Sequence, residues 1–268
     1  MLAITPVKLY NFVSFGSYFH NVKDEDGKLK YRGDTSMSRM DLCFPDLVDF
    51  LDIKYLSAPK VNVIVHACSN GEEAYTFLSV LKARLGANSK KYTPIIAKDI
   101  EPEHLKIAEK GVYALRRFEY EMTNTYTSEK FKDYFNFVEP SDSESYKKNF
   151  IFKEKPIFVS VKKELSDNVK FRKGNILEDV KNNNLKNTVL FARNFWPYLS
   201  KQEIEELSDI LAQKIDNTST LIIGDYDKEY GIDKLLEKKG FVETPVENVY
   251  ELPHKSNYTY STSKIYDY

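Results

Sequence analysis

Residues 63–77, VIVHACSNGEEAYTF, constrain the fold of this chain more than any other stretch: a short apolar run, a tight Ser-Asn-Gly turn, then two glutamates opening a helical pattern. An apolar run of strand length that ends in small residues lets the backbone approach a ligand closely. Gly71 tolerates φ angles that other residues resist, and the N–H groups that open the next helix are exposed. The pattern is that of the first strand, loop and helix of a nucleotide-type binding site. Phosphate is a poor guest, because Glu72 and Glu73 stand where a phosphate loop carries donors or a lysine, and neither GxxxxGK(S/T) nor GxGxxG is present. A ligand with a cationic end fits better, and S-adenosylmethionine, with its ammonium and sulfonium, is such a ligand. Taken alone, the segment fits an ordinary strand-to-helix turn with solvated acids as well, since single-glycine turns are common.

Beyond this stretch the sequence alternates helical and strand patterns, the order expected of an α/β fold with a doubly wound, mostly parallel sheet and crossover helices. Ala74, Phe77, Leu78, Leu81 and Leu85 keep helical spacing, which stops near Gly86. Residues 94–97 predict a second buried strand, with Asp99 at its carboxyl end and a helix over residues 102–110 closed by Gly111. An acid at that strand end either takes ribose hydroxyls, as in doubly wound sheets, or caps the helix that follows. Residues 134–164 break the alternation: period-two stretches separated by Pro-Ser-Asp-Ser and Lys-Pro predict a small antiparallel β insertion.

The main sheet resumes in VKFRKGNILED, residues 169–179, as a strand and a Gly-Asn loop. A strand over residues 189–192 then leads through a polar-aromatic loop into a helix from about Lys201, with Ser200 as N-cap and Glu203 at the capping-box position. STLIIGDYD predicts another strand and GIDKLLEKKGF a helix. The tyrosine-rich end, residues 248–268, predicts an amphipathic edge strand followed by a frayed terminus. KDEDGKLKYRGD near the start reads as an exposed hairpin or loop, and there is no internal repeat.

With 268 residues, 42% of them hydrophobic, the chain can bury a full core without staples. Cys43 and Cys68 are too few for a disulfide framework or a Cys-based zinc site, which makes a reducing compartment the default. His20, His66, His104 and His254 lack HxH or HxxxH spacing, so no metal is expected. A net charge of −1, from 39 basic and 40 acidic residues, supplies no global basic field and argues against nucleic acid as a partner. The start, MLAITPVKLYNF, lacks the layout of a signal peptide, and no apolar run approaches the ~20 residues of a membrane span. A soluble, cytoplasmic protein is expected.

Taken in order, TSMSR, ACSNGEEAY, AKDIEPEHLKIAEKGVYAL, EKFKDYF, VKKEL with VKFRKGNILE, ARNFWPYL and TLIIGDYD resemble the CheR family of S-adenosylmethionine-dependent methyltransferases, which methylate glutamate side chains of bacterial chemoreceptors. Each motif is weak by itself; their order and spacing from about residue 35 to residue 252 carry the resemblance. It implies a Rossmann-like class I methyltransferase domain over residues 59–252. The β insertion, about residues 134–163, corresponds to the family's three-stranded subdomain, associated with docking to receptors. A short N-terminal region, residues 1–58, leads into the cofactor site, and residues 253–268 form a tail. The resemblance further implies S-adenosylmethionine as cofactor, S-adenosylhomocysteine as product, a protein methyl acceptor such as a receptor-like protein docked through the insertion, and a place in chemotaxis.

Carried over by position, it implies that Glu73 holds the cofactor's amino group, Asp99 takes the ribose hydroxyls, and Asn175 and Ile176 flank the adenine. Thr35 and Arg39 would reach the cofactor from the N-terminal side, and Ala67, Ser69 and Gly71 would form the loop around it. Arg193 and Tyr198 match an arginine and a tyrosine near the transferred methyl group and are the catalytic candidates, with Arg193 also touching the cofactor. These residue types suit the chemistry. A glutamate acceptor with a pKa of ~4.3 is already ionised at neutral pH and needs no strong general base, so alignment by an arginine and a tyrosine hydroxyl suffices.

Other residues read more plainly. Cys68 reads as a small packed residue rather than a nucleophile, Trp196 as a packing or a substrate-stacking residue, and Arg116 and Arg117 as a solvated helix end or a contact for an acidic acceptor. The chain also departs from the family. About 30 residues precede TSMSR in place of a substantial helical domain, Met37 and Ser38 replace two phenylalanines, and Ala192 replaces a cysteine. GDYD replaces Gly-His-Ser-Glu, so that Asp225 puts a charge near the cofactor side of the sheet. Two other functions stay open. One is a degenerate relative that binds or docks without turnover. The other is a methyltransferase acting on an amine or a nucleic-acid base, whose Asn-Pro-Pro-Tyr loop NFWPY at residues 194–198 imitates with one residue too many.

Overall fold

Val63 and Val65 belong to one apolar cluster while Ile64 packs against a second, so the run that opens the binding-site pattern is a strand covered on both faces. The computed structural model describes residues 35–139 and 155–253. The hairpin expected in KDEDGKLKYRGD, the Pro-Ser-Asp-Ser turn and the tail beyond residue 253 lie outside the described residues.

Helix α1 (Phe44–Lys54) precedes strand β1 (Asn62–His66), and α2 (Glu72–Leu85) leads to β2 (Ile95–Asp99) and α3 (Pro102–Lys110). Next come β3 (Val112–Leu115), α4 (Arg117–Tyr126), α5 (Phe131–Tyr134), β4 (Phe135–Phe137) and β5 (Ile157–Val161). The short helix α6 (Lys163–Ser166) returns the chain to β6 (Val169–Lys173), followed by α7 (Ile176–Asn182), β7 (Thr188–Ala192) and α8 (Lys201–Lys214). The last described elements are β8 (Thr220–Ile222), α9 (Asp225–Glu229), α10 (Ile232–Lys238), β9 (Val242–Glu243) and β10 (Val249–Glu251).

The main sheet has the order β6-β2-β1-β7-β8-β10-β9. Its first five strands are parallel, and β10 runs antiparallel to both neighbours. This is the doubly wound α/β fold expected of a class I methyltransferase. Winding proceeds outward from β1 to β2 and β6 on one side and from β7 to β8 on the other. The switch point, where a ligand crevice opens beyond the strand ends, therefore falls between β1 and β7.

Alternation along the strands builds the two clusters. Val189 and Phe191 of β7 and Ile222 of β8 face the core of α1 and α2, whereas Leu190, Leu221 and Ile223 face that of α7, α8 and α10. Phe77 of α2 meets Phe191 with ring centroids 4.9 Å apart. The small antiparallel sheet has the order β3-β5-β4, so one of its strands, Val112–Leu115, comes from upstream of the stretch in which the insertion was expected.

One further local expectation is corrected. Among the described residues, the tyrosine-rich end does not supply an edge strand: β10 is inserted between β8 and β9 and buries Val249 and Tyr250, because both of its faces carry apolar side chains. The Gly-Asn loop lies where it was expected, and the Asn175 side chain accepts from the Leu177 N–H at 2.9 Å and caps α7.

Candidate active site

Every residue implied for the cofactor lies at the carboxyl ends of the parallel strands or on the N-terminal segment that reaches them. The loop after β1 takes left-handed angles at Ala67 (φ 51°), Ser69 (φ 47°) and Gly71 (φ 87°), a concentration of sparsely populated conformations of the kind found at ligand sites. Asp99, at the end of β2, fastens this loop: its carboxylate accepts from the Ser69 N–H at 2.8 Å and from the Glu101 N–H at 2.9 Å, with His104 Nδ1 3.7 Å away. Burial opposes its charge, but these donors hold the Asp99 carboxyl below the usual range. The Gly174 N–H donates to the Asp99 carbonyl at 3.0 Å, which brings Asn175, exposed, and Ile176, buried, beside the same strand end.

Glu73 stands in the first turn of α2 and pairs with Arg193 Nη1. Arg193 leaves the end of β7 with a side chain only 1% exposed, and its Nη2 donates to Asp41 Oδ1 at 2.6 Å. Asn194 Nδ2 donates to the other Asp41 oxygen at 3.3 Å. Burial works against Asp41, yet the Arg193 and Arg39 charges and the Asn194 hydrogen bond hold its carboxyl down at about 2. Thr35 and the Arg39 charge favour the ionised form of Glu72, and Arg39 also favours that of Asp41, so the TSMSR segment acts on the glutamate preceding Glu73. Ser38 anchors that segment through the Thr123 hydroxyl at 2.7 Å. Burial, with Glu119 nearby, pushes the Glu72 carboxyl up to about 7.

Asp227, on α9, is fully buried and accepts from the N–H groups of Asn194 (2.6 Å), Gly224 (2.8 Å) and Trp196 (3.3 Å). Desolvation outweighs these donors and lifts its carboxyl to about 7. Asp225, singled out in the sequence as the charge near the cofactor side, is exposed and accepts from Asn248 Nδ2 at 2.7 Å; Asp227 is the acid in the interior. Asn70 Oδ1, Glu72 Oε2, Arg193 Nε and Asn194 Oδ1 are buried without a hydrogen-bond partner among the described residues, and all lie in the loops after β1 and β7 or at the start of α2.

Tyr198 ends the 3₁₀ turn Trp196–Tyr198, half-buried and close enough to Tyr226 of α9 to raise that phenol further. Trp196 is a packing residue: it is enclosed, stacks on Phe195 at 5.6 Å and donates from Nε1 to the Ala192 carbonyl at 2.8 Å. Cys68 is buried, and burial pushes its thiol well up, against a nucleophilic role. Arg116, its side chain a third exposed, pairs with Glu119 at 3.2 Å and covers the Phe118 ring, and Arg117 is exposed. No group of His, Cys, Asp and Glu suited to a metal occurs among the described residues, and none of their helices is long and apolar enough to cross a membrane.

Sequence reasoning missed Asp41, Asp227 and Asn248, and read Asn194 only as the first residue of the NFWPY loop. Only position gave a hint: Asp41 follows Arg39 by two residues, and Asp227 follows the highlighted Asp225 by two.

No curated protein matches the sequence. Among solved structures, the chain is similar to precorrin 8W decarboxylase of Methanobacterium thermoautotrophicum at 13% identity, over 77% of this chain and 79% of that one, with a TM-score of 0.33. It is similar to a TehB-like SAM-dependent methyltransferase of Corynebacterium glutamicum at 8% identity, over 77% and 83%, with a TM-score of 0.34. It is also similar to a magnesium protoporphyrin IX methyltransferase of Synechocystis with bound SAM at 12% identity, over 77% and 76%, with a TM-score of 0.37. The family model described as CheR methyltransferase, SAM binding domain, matches residues 34–240, from the TSMSR segment to the end of α10. The chain belongs to the CheR methyltransferase family, as an S-adenosylmethionine-dependent methyltransferase whose cofactor is S-adenosylmethionine.

Proposed function

We propose that the protein transfers a methyl group from S-adenosylmethionine to a protein carboxylate, a glutamate O-methylation. The observation that carries this reading is the acid-rich group at the switch point, where Glu73 and Asp41 share one guanidinium. One carboxylate charge is left over to receive a cationic ligand end. The donor set fits the cofactor: Glu73 toward the ammonium, Asp99 toward the ribose hydroxyls, and Asn175 and Ile176 beside the adenine. Ala67, Ser69 and Gly71 bring the backbone close, with Thr35 and Arg39 supporting from the N-terminal side. When bound, the cofactor supplies a methyl on a positively charged sulfur, and an acceptor oxygen forms the new C–O bond as the C–S electron pair returns to sulfur.

The residues have only to align the acceptor and exclude water, since an ionised carboxylate needs no base. Arg193 and Tyr198 would flank the transfer, Arg193 from beneath the cofactor's amino-acid end and Tyr198 from the side of α9. The acceptor would be a receptor-like protein docked through the small β3-β5-β4 sheet. Two free cysteines suit a cytoplasmic setting.

A second reading, binding or docking without turnover, draws support from Arg193 itself, whose guanidinium is enclosed and engaged by two carboxylates instead of being presented to an acceptor. Incubating the purified protein and a cell protein extract with methyl-labelled S-adenosylmethionine separates the readings. Label released as methanol by mild alkali is the expected result and marks a carboxyl ester. Alkali-stable label on protein or nucleic acid would move the acceptor to an amine or a base, and no label despite S-adenosylhomocysteine binding would favour the second reading.

A further inference from the structure

Asp41 is outside the TSMSR motif and was assigned no role by the family resemblance, yet it is held at the switch point by donors from two loops. Arg193 Nη2 donates to Oδ1 at 2.6 Å, Asn194 Nδ2 donates to Oδ2 at 3.3 Å, and Asn248 Nδ2 donates to its carbonyl at 2.6 Å while also reaching Asp225 Oδ1 at 2.7 Å. The loop after β7 and the turn before β10 therefore clamp it. Glu73 meets the same guanidinium through Nη1, from the first turn of a different element. Arg193 thus has two anchors on separate parts of the chain, and either can hold it when the other is withdrawn.

We propose that Asp41 is a positioning residue that retains Arg193 while Glu73 turns to the ammonium group of the cofactor, so that Asp41 sets affinity for ligands carrying that ammonium and not for the adenosine part. This inference rests on the cofactor placement above. The argument is one of charge. With Asp41 ionised, two carboxylates face one guanidinium, and an incoming ammonium completes the pairing. With Asp41 neutralised, Arg193 and Glu73 form a matched pair, and an ammonium can join only by burying an excess positive charge, which is strongly unfavourable in an enclosed site. Arg39, a second cation that acts on both Asp41 and Glu72, adds to that excess.

The test is a calorimetric titration of the wild type, Asp41→Asn and Asp41→Glu with S-adenosylhomocysteine, which has the ammonium, and with 5′-methylthioadenosine, which has the same nucleoside and thioether but no amino-acid end. The expected result is a loss of about tenfold or more for S-adenosylhomocysteine in Asp41→Asn. Binding of 5′-methylthioadenosine should stay within about twofold, and Asp41→Glu should recover most of the loss. Equal losses for both ligands, or no loss for either, would overturn the proposal. If Asp41→Asn does not fold, Asp41→Ser, which also removes the charge and keeps a polar side chain, is read through the same contrast between the two ligands. A wild type that binds neither ligand would overturn the cofactor placement itself and this inference with it.

Discussion

Gly71 holds φ at 87°, and a Cβ there would stand 2.8 Å from Phe171 Cζ and 2.9 Å from Ala108 Cβ. Conformation and space both demand glycine, and the loop that carries Glu73 depends on it. Ala67 and Ser69 take left-handed angles without that freedom. They are held because the Ser69 N–H is gripped by Asp99 and the Cys68 N–H donates to the Lys98 carbonyl at 3.0 Å. Gly71→Ala is expected to lower stability by about 1–3 kcal/mol, read from the midpoint of urea denaturation; an unchanged midpoint would mean that the loop relaxes freely. At this scale the residues legible in the sequence were those placed by local pattern. Glu73 follows a strand and a turn, and Asp99 ends a second apolar run. Asp41 and Asp227 carry no local mark. They matter because Arg193, 152 positions after Asp41, and the N–H groups around Asn194 converge on them only in the folded chain.

The elements read best where their own ends announce them. Helix α3 runs from Pro102 to Lys110 and stops at a left-handed Gly111, and α8 opens on a capping box in which the Ser200 N–H donates to Glu203 Oε2 at 2.7 Å while Ser200 Oγ accepts from the Glu203 N–H. Ser200→Ala should cost about 1 kcal/mol in a thermal or chemical melt, and a smaller loss with Ser200→Gly would confirm that the cap and not the packing is responsible. Short elements escaped. Helices α7 and α9 are 7 and 5 residues long, too brief for a periodic signature. Helix α7 is pinned by partners distant in sequence: Lys98 of β2 pairs with Asp179 at 2.6 Å, and His66 of β1 lies 3.6 Å from the same carboxylate. The small sheet likewise draws β3 and β5 together across a long separation, a pairing that no window of sequence displays.

Across the whole molecule, buried charge ties stability to pH. Glu72 and Asp227 keep protons up to about 7 in the folded protein, whereas unfolded carboxyls release them near 4. Between those values the folded state binds more protons, so these two groups withdraw stability as pH rises from about 4.5 to about 7 and change little beyond it. His66 has the opposite sign: burial lowers its imidazole to about 4, so stability is lost as pH falls from 6.5 toward 4. Comparison with Glu72→Gln isolates one contribution. The wild type should lose stability relative to the variant across pH 4.5 to 7, by up to about 3 kcal/mol, in melts recorded through that window; parallel curves would show that Glu72 titrates alike in the folded and unfolded chain.

The sequence by itself determined the α/β class, the parallel core strands, the ends of the longer helices and the order of motifs that marks the family, because each depends on periodicity or capping within a few residues. The tertiary structure alone decided which strand lies at the edge, that Trp196 is packing, that Asp227 rather than Asp225 is buried, and that Arg193 is clasped by Asp41 and Glu73. Those outcomes depend on which distant segments exclude water from a side chain, and desolvation belongs to the assembled sheet ends, not to any local stretch of chain.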